Sequence, residues 1–141
     1  MPQRTVLSRE YDLLSVGANL EELAGPFVGG LVCIERRGRP WRIEALTEVT
    51  PTSVTTTSGY AYDPATGKPQ FETKEFCLRP LTRENLDYLI VVEGLRVAEK
   101  LKPNALKAKE RAALLPAARV LIEVYTRMRD GEREQLQAHG K

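Results

Sequence analysis

The chain has 141 residues, a mass of 15.8 kDa, 42% hydrophobic and 28% charged residues, and a formal net charge of +2. This composition excludes a disordered protein, and a net charge this small does not by itself indicate nucleic-acid binding. The sequence has no apolar run of the about 18 residues that span a bilayer, and its first residues lack the apolar core of a signal peptide, so we expect a cytoplasmic protein.

The first 30 residues are predicted to be irregular, with one or two helical turns that begin near Asn19. Residues 31–36 form a short apolar run, and Arg37-Gly38-Arg39 then predicts a hairpin turn. In residues 41–49 the side chains alternate, with Trp41 on the same side as Ile43. This period of two predicts a strand with one buried face and one wet face. The predicted wet face carries Arg42, Glu44, Leu46 and Glu48.

Further strands follow along the chain. Residues 53–57 are mostly β-branched and largely polar, and residues 60–62 are predicted to be a short strand after a bend at Gly59. Residues 63–67 have Pro early and Gly late, which is typical of a turn, and residues 70–78 are predicted to be the last strand. Four or five short strands indicate a small antiparallel sheet, either a meander or a partly open barrel.

The C-terminal half is predicted to be helical, which makes the fold α+β. We divide the chain into a β-sheet region, 1–80, and a helical region, 81–141, that packs on it as one domain. A helix capped by Thr82 and covering residues 83–101 is apolar around more than half its circumference, so we expect burial on two sides. Pro116 either begins a helix or kinks a long one. From residue 130 onward we expect at most one or two helical turns.

The residues that could carry chemistry are few. His139 is the only histidine and is predicted to be a solvated residue near the end of the chain. Cys33 and Cys77 do not fit zinc spacing, and we expect free, buried thiols in a reducing compartment. A disulfide, if the first and last strands are neighbours, and a reactive thiol remain as alternatives.

The carboxylates are scattered, and Gly29-Gly30 lacks the phosphate-loop pattern. We therefore predict a protein that is not an enzyme and that uses no cofactor and no metal. An enzyme with an unrecognised site is the remaining alternative.

Two surface features are candidate partner-binding sites. The first is an arginine-rich hairpin around the only tryptophan, formed by Arg36, Arg37, Arg39, Trp41 and Arg42. Arg and Trp are enriched at interface hot spots, and the pair also suits single-stranded nucleic acid. The second is a basic run that suits phosphate or an acidic protein surface, formed by Lys100, Lys102, Lys107 and Lys109. The plainer interpretations are a charged hairpin tip with Trp41 facing the core and a solvated helical corner.

Residues 41–57, followed by Gly59-Tyr60-Ala61-Tyr62-Asp63 and Thr66-Gly67, resemble a strand-turn-strand pattern of small accessory proteins from double-stranded DNA phages. Scarce Asn and Gln with plentiful Arg, Glu, Leu and Pro fit a thermophilic host. With the chain length and the β-then-α layout, the sequence resembles the small inhibitors that thermophilic phages direct at bacterial RNA polymerase. The resemblance transfers no functional residue to a position in this chain.

That resemblance implies a phage regulator in the host cytoplasm that binds RNA polymerase near the β-subunit flap and the C-terminal domain of the sigma factor. Such a protein redirects promoter use and favours antitermination. The alternative is a small β-barrel that binds nucleic acid, with an affinity that falls steeply as salt rises.

Overall fold

A computed structural model of the protein describes residues 11–139. Its elements are, in chain order, α1 (Leu13–Ala18), α2 (Leu20–Leu23), β1 (Leu31–Arg36), β2 (Arg39–Val49), β3 (Val54–Thr56), β4 (Ala61–Tyr62), β5 (Phe76–Pro80), α3 (Arg83–Ala98), a 3-10 turn (Pro103–Ala105) and α4 (Ala108–His139). The expectations for the first ten residues and for the side chain of His139 lie outside this description.

The five strands form one antiparallel sheet in the order β4-β3-β2-β1-β5. The sheet curls into a half-barrel, and helices follow it in the chain. The predicted α+β class with a four- or five-stranded, partly open sheet is therefore confirmed. The predicted turn at 63–67 is also present, with the Gly67 amide donating to the Asp63 carbonyl at 2.7 Å.

A β-bulge interrupts the alternation of β2. Ile34 pairs with Arg42 and Glu35 pairs with Pro40, so Trp41 is an extra residue on β2. An extra residue breaks the period of two, and it moves the Trp41 side chain to the face opposite Ile43. The prediction that Trp41 and Ile43 share a face is wrong for this reason.

Hydrophobic clusters cover both faces of the sheet. One cluster joins the sheet to α1 and α3 and contains Leu13, Val16, Leu31, Cys33, Ile43, Leu81, Leu86 and Leu89. The other contains Val32, Ile34, Leu46, Val54 and Tyr62, with Trp41, Phe71, Phe76 and Leu78 packed against it. A small sheet with apolar residues on both faces is stabilised by burial from both sides.

The predicted wet face of β2 is wrong for its central residues. Glu44 is 1% exposed and Leu46 is 2% exposed, and only Glu48 at the end of the strand is exposed. The second cluster covers this face, because β3, β4 and the aromatic residues after β4 fold over it. This burial places a charged pair, Arg42 and Glu44, inside the sheet region.

The last strand begins later than predicted, at Phe76 instead of residue 70, and it ends at Pro80. Its position is set by antiparallel pairing with β1, in which Ile34 faces Leu78. Residues that pair with a distant strand are not marked by their local pattern.

Helix α3 is anchored to the sheet region at its N-terminal end. The Thr82 hydroxyl accepts a hydrogen bond from the Asn85 amide, and the Asn85 side chain accepts one from the Thr82 amide, so the predicted cap is confirmed. Leu86 and Leu89 are buried, whereas the apolar residues of the C-terminal half are exposed. The expected burial of this helix on two sides is wrong over that half.

Two compact units divide the chain, one up to Val97 and the other from Ala98 onward. The first contains the sheet and nearly all of α3; the second contains α4. That the whole helical region packs on the sheet as one domain stays a prediction.

Helix α4 is one 32-residue helix that contains Pro116 in its interior. It continues to His139, so the expectation of at most two turns after residue 130 is wrong. Glu, Arg, Gln, Leu and Ala dominate residues 132–138, and their helix propensity outweighs the single Gly131. Within residues 11–139, every helix lacks the combination of length and apolar character that crossing a bilayer requires.

Candidate functional site

The arginine-rich hairpin is built on a tight turn between β1 and β2. Arg36 pairs with Arg39, and the two residues between them have positive φ angles, 54° at Arg37 and 82° at Gly38. Two consecutive left-handed residues define a type I′ turn, which matches the twist of antiparallel strands. The left-handed conformation costs about 1–2 kcal/mol at a residue with a Cβ, so contacts elsewhere must hold Arg37 in place.

Glu75 supplies those contacts. The Arg37 amide donates to the Glu75 carbonyl at 2.7 Å, and the Arg37 and Arg36 Nε atoms lie 3.1 and 3.2 Å from Glu75 Oε1. The hydrogen bond from Arg36, followed by the charge of Arg37, holds the pKa of Glu75 below its ordinary value. One carboxylate therefore orders two guanidinium groups at the tip of the hairpin.

The Trp41 ring lies between aromatic and cationic neighbours. It stacks on Phe76 with 5.3 Å between the ring centroids, and the guanidinium carbons of Arg42 and Arg36 lie 4.0 and 5.4 Å from its centroid. Cations within about 6 Å of an indole centroid are attracted to its ring face. The bulge that exposes Trp41 to this face of the sheet thus creates the cluster.

Arg42 belongs to the cluster but faces inward. Its side chain is 13% exposed, and its Nε lies 2.5 Å from Oε2 of the buried Glu44, an ion pair without the alignment of a good hydrogen bond. The other Glu44 oxygen accepts a hydrogen bond from the Ser58 hydroxyl at 2.8 Å. Through the Arg42 guanidinium, this buried pair lies against one face of the Trp41 ring.

The structure thus brings together four of the five hairpin residues singled out in the sequence, and Arg39 stands exposed beside them. We call Arg36, Arg37, Arg39, Trp41 and Arg42 the hairpin patch. Its three exposed arginines and Glu75 leave a local excess of three minus one, or two, positive charges. Such an excess on a preformed surface favours an acidic partner.

The basic run belongs to the second compact unit. Lys100, Lys102, Lys107 and Lys109 are all exposed around the 3-10 turn and the start of α4. Within the part of the chain that the structure describes, none of these four lysines takes part in an ion pair. They and the hairpin patch belong to different compact units.

Both cysteines are free. Burial raises the pKa of the Cys33 thiol to about 12, which removes the thiolate that a nucleophile would need. Although β1 and β5 are neighbours, Cys77 pairs with Glu35 instead of Cys33. The disulfide alternative is therefore wrong for this structure.

Two clefts of the described residues contain carboxylates. A cleft of about 820 Å³ next to Phe76 contains Glu72, and a cleft of about 440 Å³ between β5 and α3 is lined by Glu35 and Glu84. Among residues 11–139, no group of three His, Cys, Asp or Glu side chains is arranged to hold a metal ion.

Sequence reasoning missed Glu44, Glu75 and Phe76 as parts of the site. Phe76 and Glu75 come to the hairpin only through the pairing of β5 with β1, and the burial of Glu44 depends on β3 and β4. The one available signal was the charge of Glu44 two residues after Arg42, on the same face of a strand with many apolar neighbours.

No family model, no curated protein and no solved structure matches this chain.

Proposed function

We propose that this chain is a non-enzymatic binding protein that contacts a protein partner through the hairpin patch. In its most specific form, it is a phage-encoded regulator that binds host bacterial RNA polymerase near the β flap and the sigma factor. The sequence resemblance given above supports this choice of partner, and the surface chemistry is compatible with it.

The proposal rests on the observation that two exposed guanidinium groups are already held in place by their neighbours. Arg36 and Arg37 share Glu75, and Arg36 also lies over Trp41. Ordering a long side chain at an interface costs about 0.5–1.5 kcal/mol, so groups that are already ordered lose less on binding. An arginine pair beside an aromatic ring has the composition of a binding hot spot.

The mechanism that follows is steric and electrostatic. The hairpin patch would dock on an acidic surface of the transcription complex and hold the flap and the sigma factor in an altered position. Such repositioning changes promoter use without any bond being made or broken.

Capture of purified RNA polymerase by the immobilised full chain tests this function. We expect retention of the holoenzyme from a thermophilic bacterium at micromolar concentration. Absence of retention of both holoenzyme and core enzyme would reject RNA polymerase as the partner.

Nucleic-acid binding is the second candidate, and the partly exposed Trp41 beside three exposed arginines favours it. Phe76 and Arg42 already lie against the Trp41 ring, so a base would compete with them for that ring. Titration with single-stranded DNA at low and high salt separates the two: binding that falls steeply with salt supports nucleic acid, and no binding at low salt rejects it.

A further inference from the structure

Helix α4 carries a continuous apolar stripe that is exposed to solvent. Spacings of four, three, four and three residues place its members on one face, and they are Leu114, Ala118, Leu121, Tyr125 and Met128. Leu115, Val120, Ile122 and Val124 widen this stripe on its two sides. A stripe with this period is typical of a helix that packs against another helix.

The exposed area is large for a free surface. A fully exposed residue of these types presents about 150–250 Å², so eight of them, exposed by 37–65%, present roughly 800 Å² together. The largest apolar patch of a monomer is about 300–600 Å², whereas a stable interface buries about 800 Å² per partner. The stripe and the apolar residues beside it together therefore present an area comparable to one side of a stable interface.

We propose that α4 associates antiparallel with α4 of a second copy of this chain. The antiparallel arrangement places Ala118 opposite Leu121 of the partner subunit and Leu114 opposite Tyr125 of the partner subunit. Each layer then sets a larger residue against a smaller one, which fills space without overpacking. Pro116 lies about 140° around the axis from Leu121, on the polar side, so it does not interrupt the interface.

The charges at the two ends of the helix select the antiparallel direction. In this register Lys107 comes level with Glu132 of the partner subunit, and Glu110 comes level with Arg129 of the partner subunit. A parallel, in-register pair would place each of these charges beside its own copy. Opposite charges stabilise a helix pair and like charges destabilise it, and antiparallel helix dipoles add in the same sense.

This pairing also gives the basic run a role. Lys107 would lie at the edge of the interface, and the exposed Lys100 and Lys102 would flank it. The hairpin patch belongs to the other compact unit, so self-association and partner binding use different residues.

Sedimentation of the full chain between about 1 and about 100 µM tests the proposal. We expect a species of 31.6 kDa, twice the chain mass of 15.8 kDa, that dissociates on dilution. Leu121→Glu should abolish it, and Ala112→Glu, which adds the same charge on the opposite face of α4, should leave it intact. Leu121→Ala keeps the helix propensity and should weaken the dimer at least tenfold, so a folding defect is distinguishable from a lost contact.

Charge reversal tests the direction of the helices. Lys107→Glu should weaken an antiparallel dimer roughly five- to tenfold, because two symmetric ion pairs become repulsive, and adding Glu132→Lys should restore it. An unchanged dimer from Lys107→Glu alone would fit a parallel pair, in which residue 107 lies beside its own copy and one like-charge contact replaces another, and it would overturn the proposed arrangement. A 15.8 kDa monomer at about 100 µM would overturn self-association. The stripe would then be covered by another part of its own chain or by a different protein.

Discussion

Removal of the Glu44 carboxylate should destabilise the sheet-containing unit strongly. Glu44 is 1% exposed, and it is the ion-pair partner of Arg42, whose side chain is 13% exposed. Loss of one member of a buried pair costs about 3–5 kcal/mol, because the other charge stays buried without compensation. The Ser58 hydroxyl also loses its acceptor, at about 1 kcal/mol. We therefore expect Glu44→Ala to lower the free energy of unfolding by about 4 kcal/mol.

Urea unfolding followed by Trp41 fluorescence measures this change. Trp41 is the only tryptophan and lies 4.0 Å from the Arg42 guanidinium carbon, so the signal reports on the unit that contains the pair. Glu48→Ala is the matched control, since Glu48 is an exposed glutamate on the same strand and should change stability by less than about 0.5 kcal/mol.

Replacement of both charges distinguishes an uncompensated charge from a lost packing contact. Arg42→Met combined with Glu44→Leu should recover most of the stability that Glu44→Ala loses, because apolar residues of similar volume substitute for a buried pair. If Glu44→Ala falls within about 1 kcal/mol of Glu48→Ala, the pair is hydrated and the reasoning is refuted.

Three further predictions concern glycines and a thiol. Gly67→Ala should lower the free energy of unfolding by at least about 1–3 kcal/mol more than Gly59→Ala does. Both glycines have a positive φ, but a Cβ at Gly67 would lie 2.2 Å from the Leu78 carbonyl oxygen, whereas Gly59 faces open space. Equal unfolding midpoints would contradict this. Gly94→Ala, in α3 with open space around it, should raise stability by about 0.8–1.0 kcal/mol, seen as a higher urea midpoint. The Cys33 thiol loses its proton above about pH 9 in the unfolded chain but only near pH 12 in the folded protein. The free energy of unfolding should therefore fall between these two pH values, by up to about 1.4 kcal/mol per pH unit. Cys33→Ala should flatten that slope in urea titrations, and an unchanged slope would speak against a buried thiol.

The local elements of the sheet could be predicted because their signals are local. Period-two alternation marked β2, and the Arg37-Gly38 pair marked a turn that demands positive φ. The Asp63–Gly67 turn and the Thr82 cap were likewise carried by neighbouring residues. In each of these elements the residues that determine the local structure lie within a few positions of each other in the sequence.

The site could be predicted only in part, because its completion is non-local. The bulge at Trp41 has no marker in the sequence, and it decides which face the indole occupies. The pairing of β5 with β1 brings Glu75 and Phe76 to the hairpin across about 40 residues of chain. Glu44 is buried because β3 and β4 cover it, and no single segment of the sequence encodes that contact.

Comparison of two charge reversals in binding to RNA polymerase holoenzyme tests the central claim most directly. Arg39→Glu changes the exposed hairpin patch, and Lys68→Glu makes the same change of charge at an exposed position outside it. We predict that Arg39→Glu weakens binding by at least about tenfold, because it reverses one of the three exposed charges of the hairpin patch, and that Lys68→Glu changes it by less than about twofold. Equal affinities for both variants and the unmodified chain would contradict binding through the hairpin patch.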